Sequence, residues 1–354
     1  MDSDMSSLSD DYEEPIERIR RRTVRNREDP FEMLDSIDFQ QRYRLKKETV
    51  MSLIHEIGNE IEYSSLRNNC VSARTQILVA LRFYATGAFQ KLVGDHIKIH
   101  NSTVCRIIRK VTSKIARLGR QHIQMPKTEA EITEIKAGFY NLHGFPRVVG
   151  ALDCTHVKIQ SPGGPNAELY RYRKGYFSLN VPAICDSKLK IRHIIARWLG
   201  SVHDSTIFND SPLPVEFEMG AYNNGVLIGD SAYPCKPYLL TSILNPSSGS
   251  EEAYNQVHIL TRNSIERCFG VLKRRFPCLQ IGLRVNLALI TQIIVTCAAL
   301  HNIFKEQNDI FEHDGQDIIE GDFDEDFDIL LHYNQNDNVN YATRTAFIST
   351  VFAR

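Results

Sequence analysis

Near residue 145 the apolar residues of this 354-residue chain change their spacing, and that change restricts the folds open to it. Before it, from about Phe31 to Gly144, they recur at helical steps of three and four. Leu45, Val50, Leu53, Ile54 and Ile57 form one series, and Ile77, Leu78, Leu81, Tyr84 and Phe89 another. After it come short runs rich in β-branched residues: Val148–Asp153, Ser178–Asp186, Lys190–Trp198 and Gly225–Asp230. The middle two flank a polar turn at Ser187-Lys188 and read as a β-hairpin, although Pro182 removes one ladder donor. Helical patterns start at His203–Thr206, fill Ser264–Phe276 and fill the strongly apolar Leu287–Phe304, which is expected to pack on the sheet. The chain divides accordingly into a polar lead (1–30), a helical region (31–144), an α/β domain (145–305) and an acidic tail (306–354). The tail is expected to be extended to about Asp328, with one more helix near the end.

The formal net charge of -1 hides a segregation. Between Arg67 and Lys127 twelve basic residues face one acid, Asp95, for a net of +11, whereas Glu306–Asp328 carries eleven acids and no Lys or Arg. A basic helical region joined to an acidic tail suggests a nucleic-acid partner for the former. Within it, Phe89–Ile97 reads as a short helix, Lys98–Asn101 as a turn, and Ser102 as the N-cap of a second helix from Thr103 to about Arg120. Val104, Ile107, Ile108, Val111 and Ile115 make one stripe of that helix, and Arg106, Arg109, Lys110, Lys114 and Arg117 point elsewhere. That is the pattern of a helix-turn-helix with a cationic recognition helix. An amphipathic bundle with a solvated basic face satisfies it too. The lead's Arg18, Arg20, Arg21, Arg22, Arg25 and Arg27 suit an import signal, a DNA-contacting arm or a disordered lead.

Other classes are disfavoured. No uninterrupted apolar run reaches about 18 residues, so no membrane span is expected. The start, Met1-Asp2-Ser3-Asp4, lacks the apolar stretch of a secretory signal, so a cytosolic origin is expected. The eight cysteines form no C-x-x-C pair, which argues for reduced, mostly buried thiols in an intracellular protein.

Chemistry is concentrated in three acids. Two strand runs end in Asp153 and Asp230, and the downstream helix carries Glu266. Carboxylates gathered at a sheet edge repel one another unless a cation sits among them. Oxygen donors of this kind suit Mg²⁺ or Mn²⁺. Two such ions roughly 4 Å apart can activate a water and stabilise a leaving 3′-oxygen. Strand-end aspartates that merely cap turns would look the same.

The motifs around these acids resemble those of the Harbinger-type DDE transposases, most closely the transposase-derived nucleases within that superfamily. Gly150-Ala151-Leu152-Asp153-Cys154-Thr155-His156-Val157 looks like the first-aspartate motif, and Arg173–Asn180 like the strand entry that follows it. Gly200–Ser205, Leu227–Pro234, Ile265–Phe276 and Ala299-Leu300-His301-Asn302 continue the match in order. Thirty-five residues separate Asp230 from Glu266, a spacing typical of such enzymes. The resemblance implies an RNase H-like mixed sheet with flanking helices, with Asp153 on the first strand, Asp230 on the fourth and Glu266 on a late helix. It implies a metal-dependent DNA endonuclease with Asp153, Asp230 and Glu266 as catalytic metal ligands and Asp204 as a further ligand. An aspartate opening a helix is equally explained as an N-cap. It also implies a Myb/SANT-like partner protein that aids import, hence a nuclear location with a cytoplasmic pool. A second copy of the chain is a further candidate partner.

Around the acids, Lys273, Arg274 and Arg275 follow Glu266 and are candidates to hold the DNA backbone. Arg171, Arg173 and Lys174, interleaved with Tyr170 and Tyr172, suit phosphate contact or base stacking. His156 is either within reach of a metal-bound water or a satisfied core histidine. Three functions therefore compete: a DNA endonuclease acting on double-stranded DNA, a host DNA-binding adaptor without cleavage, and a phosphoesterase acting on small nucleotides.

Overall fold

A computed structural model describes residues 29–64, 70–309 and 338–352. The arginines of the lead, Arg67 and the acids beyond Asp309 lie outside the described residues. The helical region comprises α1 (Pro30–Met33), α2 (Ser36–Tyr43), α3 (Lys47–Ile61), α4 (Ala73–Thr86), α5 (Gln90–Ile97), α6 (Asn101–His122) and α7 (Glu129–His143). Then follow β1 (Val148–Lys158), β2 (Ser178–Cys185), β3 (Ile191–Ile194), β4 (Trp198–Leu199), α8 (Asp204–Asn209), α9 (Leu213–Glu218), β5 (Val226–Ile228) and β6 (Leu239–Leu240). The chain continues through α10 (Gly249–Arg275), α11 (Cys278–Ile281) and α12 (Leu287–Glu306) to α13 (Asn338–Val351).

The strands form one mixed sheet in the order β3-β2-β1-β5-β6, with β4 also on β2. β1, β2 and β3 are antiparallel, while β5 and β6 run parallel to β1. β3 and β4 are two pieces of one predicted run, both laddered to β2, so β5 is the fourth strand of an RNase H-like sheet. β1 outlasts its predicted end at Asp153, because Cys154–Lys158 keep pairing with β2 down to Ser178. A register shift between Val148 and Gly150 sets which side each residue faces. At that point a Cβ on Gly150 would lie 2.3 Å from Ile184 Cγ2, so the Ile184 side chain fills the space a larger residue would need. Val148 and Ala151 join the larger core under α10, while Val149 and Leu152 pack with Phe208, Phe217 and Tyr233 on the other face.

The helical region and the sheet share that larger core. α6 packs on both α4 and α12, and its stripe of Val104, Ile107, Ile108, Val111 and Ile115 is fully buried, each side chain contributing roughly 1.5–3 kcal/mol. Its N-cap is His100, not Ser102, because the imidazole accepts from the Ser102 N–H and starts the helix two residues early. Gly94 in α5 permits the tight turn before α6, since a Cβ there would meet the Ile99 carbonyl at 2.4 Å. α12 is long and apolar enough to cross a membrane, yet most of it is buried against α6 and β3.

At the far end of α12 the acidic tail begins inside the protein. Asp309, 1% exposed, accepts from Gln40 Nε2, the Lys46 N–H and Thr49 Oγ1 at 2.7–2.8 Å. Arg275, 0% exposed, donates to the Asp309 carbonyl at 2.9 Å and stacks its guanidinium on Phe304. Arg275 is therefore no DNA contact. It ties α10 to the start of α3 through a sealed ion pair, since a buried guanidinium is stable only with its charge matched.

Candidate active site

The last parallel pair of β1 and β5 is Ala151 with Ile228; Asp153 stands two residues further along β1, and Asp230 two residues past Ile228, where β5 has ended. The equal offset places the two carboxylates beside one another at the end of β5, where the charge of Asp230 acts on Asp153. α10 packs there and supplies Glu266. Asp204 arrives from the opposite side, on the short helix α8 that packs on β2. It is no N-cap: His203 holds that position, and the Asp204 carboxylate instead accepts from Asn180 Nδ2 at 2.7 Å.

The four acids share one electrostatic neighbourhood. Burial pushes Asp153 well above the usual carboxylate range, and the charges of Asp230 and Asp204 push the same way. Burial, with Asp204 and Glu266 adding, raises Asp230 to about 6. Asp204 is raised too, by burial, against the opposing hydrogen bond from Asn180. This is the signature of like charges held together away from water.

Arg262 is the residue that the sequence reading missed. It lies one turn before Glu266 on α10, donating from Nη2 to Glu266 Oε1 at 2.5 Å and from Nη1 to Asp153 Oδ2 at 3.2 Å. It lowers the proton affinity of both Asp153 and Asp230. Among the described residues no three ligating side chains converge on one point. Hard carboxylate oxygens in surplus over cations are nonetheless the donor set that Mg²⁺ or Mn²⁺ takes, so the residues present fit such an ion chemically.

Beside the acids, His156 proves to be a core histidine. Its Nδ1 pairs with Ser178 Oγ at 3.0 Å and its ring stacks on Tyr172 at 3.7 Å. Burial, helped by the positive fields of Lys273, Arg173 and Lys174, lowers its pKa to about 4. Those three cations therefore crowd the edge of the sheet that carries Asp153. Arg173 and Lys174 are exposed at the tip of the loop before β2, whereas Tyr172 is buried on His156 and offers no face for base stacking. Arg171 is exposed but forked onto Glu168, and Arg274 is half-buried beside Lys273.

On α6, Arg106 and Arg109 are exposed. Lys110 is occupied structurally, donating to the Ile61 carbonyl at 2.6 Å under the ring of Tyr63. Lys114 and Arg117 pair with Glu60. A cavity of about 640 Å³ opens at the other end of β5, beside Arg147, Tyr222 and Tyr238, and none of the four acids lines it.

Sheet order and acid placement together define an RNase H-like DDE domain. A family model described as DDE superfamily endonuclease matches residues 152–302. The human protein named "Putative nuclease HARBI1" is 34% identical over 269 residues, covering 75% of this chain and 76% of that protein. The Xenopus laevis protein of that name is 31% identical over 306 residues, covering 85% and 86%. "Protein ALP1-like" of Arabidopsis thaliana is 25% identical over 263 residues, covering 70% and 64%. No solved structure matches. The chain belongs to the Harbinger-type family of the DDE superfamily.

Proposed function

We propose that this chain is a metal-dependent endonuclease of double-stranded DNA. The observation carrying the reading is the burial of Asp153 and Asp230 in one acidic neighbourhood: burial raises both, Asp230 and Asp204 add to it at Asp153, and Asp204 and Glu266 add to it at Asp230. Asp153, Asp230 and Glu266 would hold one or two Mg²⁺ or Mn²⁺ ions, with Asp204 as a further ligand. When bound, such ions activate water and stabilise the leaving oxygen in phosphodiester hydrolysis. The chain's own cations do the positioning. Arg173, Lys174 and Lys273 would hold the phosphate backbone against the acids, and Arg106 and Arg109 would contact the duplex from the helical region. An open sheet edge flanked by cations suits a polymer better than a free nucleotide. A Myb/SANT-like partner, a second copy of the chain, and a nuclear location with a cytoplasmic pool belong to the same proposal.

One observation favours a DNA-binding adaptor without cleavage: Arg262 already neutralises part of the acid cluster. The test incubates purified protein with duplex DNA and Mg²⁺ or Mn²⁺, beside Asp153→Asn. Nicking is expected from the parent chain and at least about 10³-fold less from the variant, a loss of roughly 4 kcal/mol. Salt-sensitive DNA binding with no nicking from either protein selects the adaptor.

A further inference from the structure

We infer that Arg262 is the built-in counter-cation of the acid cluster, a positioning residue that an entering divalent ion displaces from Asp153 but not from Glu266. The inference rests on the metal-dependent reading above and deepens it. Residues four apart on a helix lie one above the other, so Arg262 and Glu266 are neighbours by the geometry of α10. The guanidinium fork then reaches across to β1, and its two amino groups take one carboxylate each. All three groups are largely withdrawn from water, with Arg262, Asp153 and Glu266 side chains 23%, 17% and 24% exposed.

Both oxygens of Asp153 are engaged. Oδ1 accepts the Cys154 N–H at 2.7 Å, fixed by the backbone of β1, and Oδ2 accepts Arg262 at 3.2 Å. Each oxygen keeps a further lone pair, but Oδ2 already faces the full positive charge of Arg262, which opposes a second cation there, whereas Oδ1 faces only a neutral N–H. Of the two donors only Arg262 carries a full charge that repels the entering ion, so Arg262 yields. Its contact with Glu266 is the shorter, at 2.5 Å, and leaves Oε2 of that carboxylate for an ion. Ion entry is thus an exchange of one cation for another, and Arg262 holds Asp153 and Glu266 facing each other until it occurs. Without it the acids repel one another in the metal-free protein, and an ion meets no competitor.

The experiment titrates MnCl₂ into the full chain without DNA, by calorimetry and by thermal unfolding. It compares the parent with Arg262→Gln, Arg262→Lys and Asp153→Asn. Arg262→Gln is expected to bind Mn²⁺ about tenfold more tightly while its metal-free Tm falls. Its Mn²⁺-induced gain in Tm then exceeds the parent's. A purely structural arginine would lower the Tm with no gain in affinity, and unchanged or weaker binding by folded Arg262→Gln overturns the inference. If Arg262→Gln does not fold, Arg262→Lys decides: its point charge satisfies one carboxylate only, and about threefold tighter binding is expected. No tightening in Arg262→Lys overturns it as well. Should the parent bind Mn²⁺ no better than Asp153→Asn, the metal-dependent reading fails first and takes this inference with it.

Discussion

Arg262 and Arg275 stand thirteen residues apart on one helix, and their surroundings are opposites. Arg275 is sealed, with Asp309 as its ion-pair partner and with Gln40, Lys46 and Thr49 satisfying the remaining capacity of that carboxylate. Arg262 serves two acids directly and Asp230 at longer range, so negative charge outnumbers it. Balanced charge holds a fold together, and surplus charge waits for a ligand. Either arginine alone would have read as a helix cation. Only the count of acids around each tells them apart.

The largest expected effect that tests this contrast is on stability. Arg275→Ala leaves Asp309 buried without its cation and should cost about 3–5 kcal/mol in urea unfolding. Arg262→Gln, whose acids can neutralise themselves by taking up a proton, should cost less, about 2 kcal/mol in the absence of metal. Equal losses would erase the distinction. Next in size is pH. Burial holds His156 and His258 near a pKa of about 4, with Arg262 adding to the depression at His258. Both are neutral in the folded protein, while the unfolded chain takes up protons below about pH 6.5. The two histidines therefore make stability decline as pH falls from about 6.5 to about 4, by up to roughly 3 kcal/mol each, while the raised Asp153 and Asp230 act in the opposite sense. The difference in urea midpoint between the parent and His258→Gln at pH 7, 5.5 and 4 isolates the His258 share, and a difference that does not change with pH would refute the neutral assignment.

Smaller effects separate DNA cations from scaffold cations. Arg109→Ala and Lys174→Ala should each lower the slope of log affinity against log salt by about 1, with no change in Tm. Lys110→Ala should leave that slope alone and cost about 1 kcal/mol, because its ammonium holds the last turn of α3. Arg275 should contribute nothing to the slope in any variant that still folds.

Much of this was legible beforehand. The hairpin of β2 and β3, the apolar α12 and the stripe of α6 all announced themselves by period, because each buries one consistent face. β1 was read too short: a strand whose outer half pairs on one side only alternates polar and apolar residues, as Thr155, His156 and Val157 do, and resembles a loop. The first half of α10 was missed for the converse reason. Gly249–Arg262 is polar and partly exposed, so it shows little periodicity. Ser248 followed by Glu251 was the signal available, and Ser248 does cap that helix. Overlooking that half hid Arg262. The burial of Arg275 could not be read at all, since its partner lies 34 positions downstream in an acidic run that looked solvated.

The equal offset of Asp153 and Asp230 beyond their last shared rung makes the separation of the two acids a property of main-chain geometry. A slip of one residue between β1 and β5 would leave every side chain chemically intact, yet move the two acids out of step with one another. Variation in the packing residues beneath is tolerable so long as that ladder keeps its alignment. Damage to the ladder at Gly150 would disarm the protein without touching a single acid.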